Sequence, residues 1–267
     1  MPCARQIMKP QNPSEALAVL AGSAGWIAVY KPAGFSVHND PRQDICARVR
    51  ALIETDAALG RKVGLDKAWG VHAVHRLDRD TSGVLILATR AVAFTAFSKL
   101  FSTHGVRKRY LVVVHGRVEG SDAGVTCGEW SWPLSAKAGG RNRPAGAGKR
   151  QACMTRFRVE RASERYSLLT CEPVSGRQHQ IRRHAKLAGH PVVGDRRYGS
   201  RRALNYLEGA YPDVRLALHA WQLTFVPPGQ DSDKALTLTA DPTPAFMTHL
   251  MGCPPDLDMI QDRSTLR

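Results

Sequence analysis

The chain has 267 residues, with 38 Lys and Arg against 23 Asp and Glu, a formal net charge of +15. Hydrophobic residues at 43% and charged residues at 23% exclude a disordered polyelectrolyte and fit one large globular domain or two small ones. The cation excess points to a polyanionic partner, and no apolar run approaches the roughly 18 residues that a bilayer span requires.

Residues 1–22, with Pro10 and Pro13, read as an N-terminal extension. They lack the basic start and apolar core of a secretory signal, so a cytoplasmic location is expected. Trp26-Ile27-Ala28-Val29-Tyr30 is a short apolar strand, stopped by the turn Lys31-Pro32-Ala33-Gly34. Ile45, Val49, Leu52 and Ile53 recur at helical spacing and predict a helix over 43–58. Val84–Ala88 predicts a buried strand, Ala93, Phe97, Leu100 and Phe101 a helix ended by Gly105, and Tyr110–Val114 a further strand. Residues 134–150 are rich in Gly, Ala and basic side chains and predict an exposed, mobile basic loop. From Cys153 to Glu160 apolar and polar residues alternate with the period of a half-buried strand, and Tyr166–Cys171 is its hairpin partner. A helix over 178–188 ends at Gly189 and Pro191, and Leu216–Val226 is a long strand closed by Pro227 and Pro228. Strands in groups, rather than in strict βαβ alternation, predict an α+β fold with a mixed, mainly antiparallel sheet. The expected organisation is one main domain over 23–229 between the extension at 1–22 and an acidic extension at 230–267.

The charge is uneven. Between Gly176 and Arg202 eight Arg and Lys stand against one Asp, whereas from Gln230 to Arg267 six Asp stand against three cations. A basic face and a separate acidic tail account for that contrast better than charge scattered for solubility. The six cysteines, at 3, 46, 127, 153, 171 and 253, form no CxxC pair, and reduced structural thiols are expected.

Several motifs fail. Gly146-Ala147-Gly148-Lys149-Arg150 has Arg143 where a P-loop needs its first Gly and Arg150 where it needs a hydroxyl. In His75-Arg76-Leu77-Asp78, Leu77 occupies the Asp position of a kinase catalytic loop. His179, His184 and His190 lack the i, i+4 spacing of a zinc-protease pair, so no metal is expected.

Three clusters remain. Val74–Gly83 places two carboxylates, cationic groups and two hydroxyls directly before a buried strand, where a rigid sheet can hold a reactive loop; an ordinary tight turn shaped by Asp80, Ser82 and Gly83 is the bland alternative. Ser175–His184 puts Gly176 and Arg177 at a helix entry, where anions are favoured, although a solvated basic helix would look the same. Arg107-Lys108-Arg109-Tyr110 opens a strand with a tyrosine that could offer its ring to a base or simply join the core.

Together these clusters resemble the RluA-like RNA pseudouridine synthases. The signature loop is His75-Arg76-Leu77-Asp78 with Thr81-Ser82-Gly83, followed by Lys108-x-Tyr110 and Gly176-Arg177-x-His179-Gln180-Ile181-Arg182. Tyr30–Gly34, Gly189-His190-Pro191 with Gly194-Asp195, and Leu218-His219-Ala220 resemble further landmarks in the family's order, over residues 24 to 228. The resemblance implies the pseudouridine synthase fold, with a cleft across the sheet, and isomerisation of specific uridines in structured RNA without cofactor or metal. It makes Asp78 the catalytic carboxylate, Tyr110 the ring stacked on uracil and Arg177 the partner that orients Asp78. Ile181 would pack beside the base and Arg76 would help extrude the uridine, while His75, Thr81, Lys108 and His179 would line the substrate site. The partner would be ribosomal or transfer RNA, with neither membrane nor DNA, and the protein a monomer. The basic loop at 134–150 is the candidate RNA guide. A catalytically silent RNA-binding or ribosome-assembly protein of the same fold is the competing reading. A DNA-binding protein finds no recognition-helix motif in support.

Overall fold

The computed structural model describes residues 17–251, apart from 39, 41–42, 119–126, 212, 232 and 242–244. In chain order the elements are β1 (Val19–Ser23), β2 (Trp26–Lys31), α1 (Ile45–Thr55), α2 (Ala57–Val63), β3 (His72–Ala73), β4 (Ser82–Ala88), α3 (Ala91–Ser102) and β5 (Arg107–His115). Then come β6 (Cys127–Trp130), β7 (Leu134–Ser135), β8 (Arg150–Gln151), β9 (Thr155–Ala162), β10 (Tyr166–Pro173) and α4 (Gln180–Leu187). The chain closes with α5 (Arg201–Ala210), β11 (Leu218–Phe225), β12 (Leu236–Thr239) and α6 (Ala245–Met251).

The main sheet runs β1-β2-β4-β11-β5-β10-β9-β6, with β3 added to β4 and β12 to β11. Its pairs are antiparallel except β4 with β11, where Ser82 faces His219 and Gly83 faces Ala220. The α+β class and the mixed, mainly antiparallel sheet are therefore as the residue pattern implies. At the parallel pair the two backbones come very close. Gly83 has φ +124°, and a Cβ there would run into the Ala220 carbonyl, so only glycine fits.

Alternation along the strands divides the core. Ile27 and Val29 of β2 join Leu85 and Leu87 of β4 under α1, whose Ile45, Val49 and Ile53 share one face. Trp26 and Ala28 point the other way, with Val84 and Ile86, onto Phe97 of α3 and Phe225 of β11. A third cluster fills the far half around β5, β9 and β10. Tyr110 packs against the first and the third, at the seam between the halves.

Three expected boundaries move. The N-terminal extension does not reach residue 22, because β1 pairs with β2 from Val19 onward; the expectation for residues 1–16 lies outside the described residues. The C-terminal extension is not a tail from residue 230. Leu236 and Leu238 of β12 and Phe246, Met247 and Leu250 of α6 join the core clusters, and the part beyond 251 lies outside the described residues. The helix expected over 43–58 is two, because Asp56 ends α1 and caps α2 by accepting from the Ala58 and Leu59 amides. Among the described residues no helix is long and apolar enough to cross a membrane.

Candidate active site

A cavity of about 600 Å³ opens where the loop before β4, the start of β5 and the entry of α4 converge. Its wall contains all nine residues marked in the sequence: Asp78, Arg177, Tyr110, Arg76, Ile181, His75, Thr81, Lys108 and His179. They come from stretches some 30 and 70 residues apart along the chain, so the fold brings together what the motifs implied.

The loop carrying Asp78 is fixed from below by Lys31, whose side chain is fully buried. Its ammonium donates to the carbonyls of Arg79 (2.9 Å), Thr81 (2.7 Å) and Pro32 (2.9 Å). The Gly34 amide also donates to the Arg79 carbonyl (2.9 Å), and Arg79 Nε returns a bond to the Gly34 carbonyl (2.8 Å). The Lys31–Gly34 turn thus stitches the Asp78 loop to the end of β2. Burial, reinforced by the nearby Arg215 charge, pulls the Lys31 pKa down to about 7.

Asp78 Oδ2 accepts from Arg182 Nη1 at 2.8 Å. The same guanidinium forks onto Asp195, with Nε on Oδ2 at 2.7 Å and Nη2 on Oδ1 at 2.9 Å. Asp195 is buried and also accepts from the Arg197 and Tyr198 amides. Burial opposes the Arg182 charge, but the two carboxylates outweigh it and raise its pKa. The partner of Asp78 is therefore Arg182, not Arg177. The helix begins at Gln180, so Arg177 stands before its first turn, whereas Arg182 projects from it toward the carboxylate. Arg177 keeps a buried Nε without a hydrogen bond.

The other Asp78 oxygen, Oδ1, approaches His179 Nε2 at 3.6 Å, beyond hydrogen-bond range. His179 has φ +54°, and its Nδ1 lies 3.1 Å from the Tyr198 hydroxyl. Burial lowers its pKa more than Asp78 raises it. Gln180 ties the turn before the helix, accepting from Ser175 Oγ and the Arg177 amide while donating to the Met154 carbonyl and Thr155 Oγ1.

Tyr110, on β5 between Cys171 of β10 and Ala220 of β11, lends its ring to the wall. Burial, and secondarily Asp78, raise its pKa, so it keeps its proton at physiological pH. Ile181 and Leu77 are buried on the same wall. His75 stacks on Phe101 with centroids 4.6 Å apart and accepts from the Ile86 amide at 3.0 Å. It belongs as much to the scaffold as to the cavity. Arg76 is exposed at the rim and Lys108 half-buried, its pKa lowered by burial. The Thr81 hydroxyl is buried on the wall with no hydrogen-bond partner. Among the described residues no group of three or more His, Cys, Asp or Glu is arranged to hold a metal ion.

Lys31, Arg182 and Asp195 are the site residues to which the motifs assigned no role. Each stood inside a recognisable segment. The signal for Lys31 and Asp195 was a charged residue beside a strand end or glycine turn, and for Arg182 its place on the helix rather than before it.

The loop, the gripped carboxylate and the ring meet in one cavity. A family model described as RNA pseudouridylate synthase matches residues 25–187, and the chain belongs to that family. It is 34% identical over 206 residues to the Ribosomal large subunit pseudouridine synthase C of Escherichia coli (strain K12), covering 76% of this chain and 60% of the relative. It is also 34% identical over 225 residues to the tRNA pseudouridine synthase C of Pectobacterium carotovorum subsp. carotovorum, covering 80% and 56%. The chain thus spans about 60% of the length of the curated relatives it matches. Such relatives agree with the RluA-like resemblance carried by the motifs. Among solved structures, Human RNA Pseudouridylate Synthase Domain Containing 1 matches at a TM-score of 0.70 and 22% identity, covering 97% of this chain and 98% of that one. Human RNA Pseudouridylate Synthase Domain Containing 4 matches at 0.66 and 23%, covering 87% and 90%. The two share the fold.

Proposed function

We propose that the protein isomerises uridines in structured RNA to pseudouridine, with Asp78 as the catalytic carboxylate. The observation that carries this reading is the carboxylate itself. Arg182 holds one Asp78 oxygen at 2.8 Å while the other faces a cavity bounded by Tyr110 and Ile181. In the reaction the C1′–N1 bond breaks, the uracil turns while held, a C1′–C5 bond forms, the C5 proton leaves and N1 gains a proton. Atoms and electrons balance, so no oxidant or reductant is required. Asp78 serves either by attacking C1′ or by removing the 2′ proton on the way to a glycal. Tyr110 and Ile181 grip the base by its faces and leave it free to turn.

The unpartnered Thr81 hydroxyl and Arg177 Nε supply polar contacts that a base or phosphate would complete. Exposed Arg76 stands where it can replace a uridine drawn out of RNA, an extrusion that costs a few kcal/mol. The exposed cations Arg196, Arg197, Arg201 and Arg202 return part of that cost through phosphate contacts. Ribosomal and transfer RNA are the substrate classes named for the relatives, and the cytoplasm, where both are found, is the place of action. The protein acts as a monomer in this reading, all nine residues marked in the sequence meeting within one chain.

The test is a transcriptome-wide map of pseudouridines in cells with the gene, without it, and with Asp78→Asn. Specific sites are expected to disappear in the last two. A map unchanged by deletion would refute the reading, and one restored by Asp78→Asn would leave the protein a silent RNA-binding one.

A further inference from the structure

The segment 134–151 contains five cations (Lys137, Arg141, Arg143, Lys149 and Arg150) and no acidic residue. In the structure it is built rather than free. β7 and β8 pair at its ends, Leu134 with Gln151 and Ser135 with Arg150. Its middle is held by Arg183 of α4, which is fully buried. Nε donates to the Pro144 carbonyl (2.6 Å), Nη1 to those of Ser135 (3.0 Å) and Gln178 (3.2 Å), and Nη2 to the Ala145 carbonyl (2.6 Å) and Ser135 Oγ (3.3 Å). All five N–H groups of the guanidinium are used.

No carboxylate neutralises Arg183 among the described ion pairs. Burial correspondingly lowers its pKa. The anchor thus fixes the segment through dipoles, and brings in no carboxylate to offset the segment's own cations. Gly146 permits the close approach: it has φ +78°, and a Cβ there would overlap Ser135 Oγ.

The near end of the segment reaches the catalytic cavity. Ala136 and Gln178 line it, and the Ala138 amide donates to Gln178 Oε1 at 3.0 Å. Farther out Arg143, Lys149 and Arg150 are exposed, and the Trp132 ring just before the segment is 42% exposed. A cationic surface with an exposed indole, rigidly continued from the rim of a base-sized cavity, suits a phosphate backbone with unpaired bases.

We propose that Arg183 is a positioning residue for RNA: it docks the 134–151 segment on the helix that carries Ile181 and Arg182, so that the segment's cations form a preformed wall along the RNA strand entering the cavity. This rests on the reading of the site as an RNA uridine isomerase. Undocked, the segment would have to be ordered at the moment of binding, and affinity would suffer while the chemical step would not.

The experiment compares wild type, Arg183→Met and Gly146→Ala. The second variant disturbs the same contact from the segment's side, should the first not fold. The probes are in vitro-transcribed large-subunit ribosomal RNA and bulk transfer RNA carrying 5-tritiated uridine, with tritium release reporting loss of the C5 proton. Both variants are expected to raise KM about tenfold or more, keep kcat within about threefold, flatten the dependence of KM on salt, and speed tryptic cleavage after Arg141 and Lys149. An unchanged KM with an unchanged salt slope, or a kcat loss at unchanged KM, overturns the proposal. If wild type releases no tritium from either RNA, the isomerase reading fails. Filter binding of the same RNAs, with the tryptic rates, then still decides whether Arg183 sets RNA affinity through the segment.

Discussion

Arg182 and Arg183 are adjacent on α4, both buried, and hold opposite kinds of region. Arg182 grips the loop of Asp78 through charge, bridging Asp78 and the buried Asp195. Arg183 grips the 134–151 segment through four neutral oxygens and gives its fifth N–H to the Gln178 carbonyl. The first arrangement fixes the position of one carboxylate and neutralises charge locally, as a reacting group needs. The second fixes a backbone whose own cations Arg143, Lys149 and Arg150 are exposed, as a polyanion-binding surface needs. On the proposed reading one helix supports chemistry on one side and capture on the other, and substitutions at the two positions should separate rate from affinity.

The largest effect on that contrast belongs to Arg182. Arg182→Met leaves buried Asp195 and half-buried Asp78 without their cation, which costs up to about 3–5 kcal/mol of stability. We expect kcat to fall at least about a hundredfold, with RNA affinity changed far less. Arg182→Lys should recover stability only in part, because an ammonium cannot fork onto one carboxylate and reach the other. Denaturation and single-turnover rates check both variants, and a loss confined to KM would erase the distinction between the two arginines.

Tyr110 comes next. Tyr110→Phe keeps the ring at the seam and should retain more than about a tenth of the rate, whereas Tyr110→Ala removes stacking worth roughly 1–3 kcal/mol and should lose about ten- to a hundredfold. Equal rates for the two variants would remove stacking from the account.

The effect most remote from rate and affinity is on stability against pH. Burial, aided by the Lys108 charge, holds His75 down to about 3, and burial holds His219 down to about 4. Both are neutral in the fold. Below their ordinary value near 6.5 the unfolded chain takes up protons that the folded chain refuses, so stability is full above that pH and is lost as the pH falls toward about 4 and then 3. Each group contributes a slope of at most about 1.4 kcal/mol per pH unit. His219, which joins Ser82 Oγ at 2.7 Å to the Ala240 carbonyl at 2.9 Å, is the cleaner test. His219→Gln should be less stable at pH 7 yet show a shallower decline between pH 6.5 and 4 in urea titrations. An unchanged slope would mean that the imidazole is charged in the fold.

The legibility of the molecule divides along the same line. The Asp78 loop could be read because its constraints are local: Gly83 occupies a backbone state that only glycine adopts easily, and a wholly apolar strand follows it. Its place on the helix separates Arg182 from Arg177 but not from Arg183, because six consecutive residues of α4, Gln180 to Ala185, are buried. A helix buried all round has no face for periodicity to reveal. The 134–151 segment reads as mobile because its Gly, Ala and basic residues carry no hydrophobic pattern. Its order comes from a side chain 48 residues away from Ser135 in sequence. The same holds for β12 and α6, where a few apolar residues among aspartates complete the core only once β11 is in place.

The central claim is that Asp78, held by Arg182, performs the isomerisation while the basic surfaces hold the RNA. Its most direct test measures single-turnover tritium release and RNA affinity side by side for wild type and Asp78→Asn on an RNA containing a mapped site. The account predicts a rate lower by about three orders of magnitude or more, with Kd within about threefold of wild type. A variant that releases tritium at the wild-type rate would contradict it.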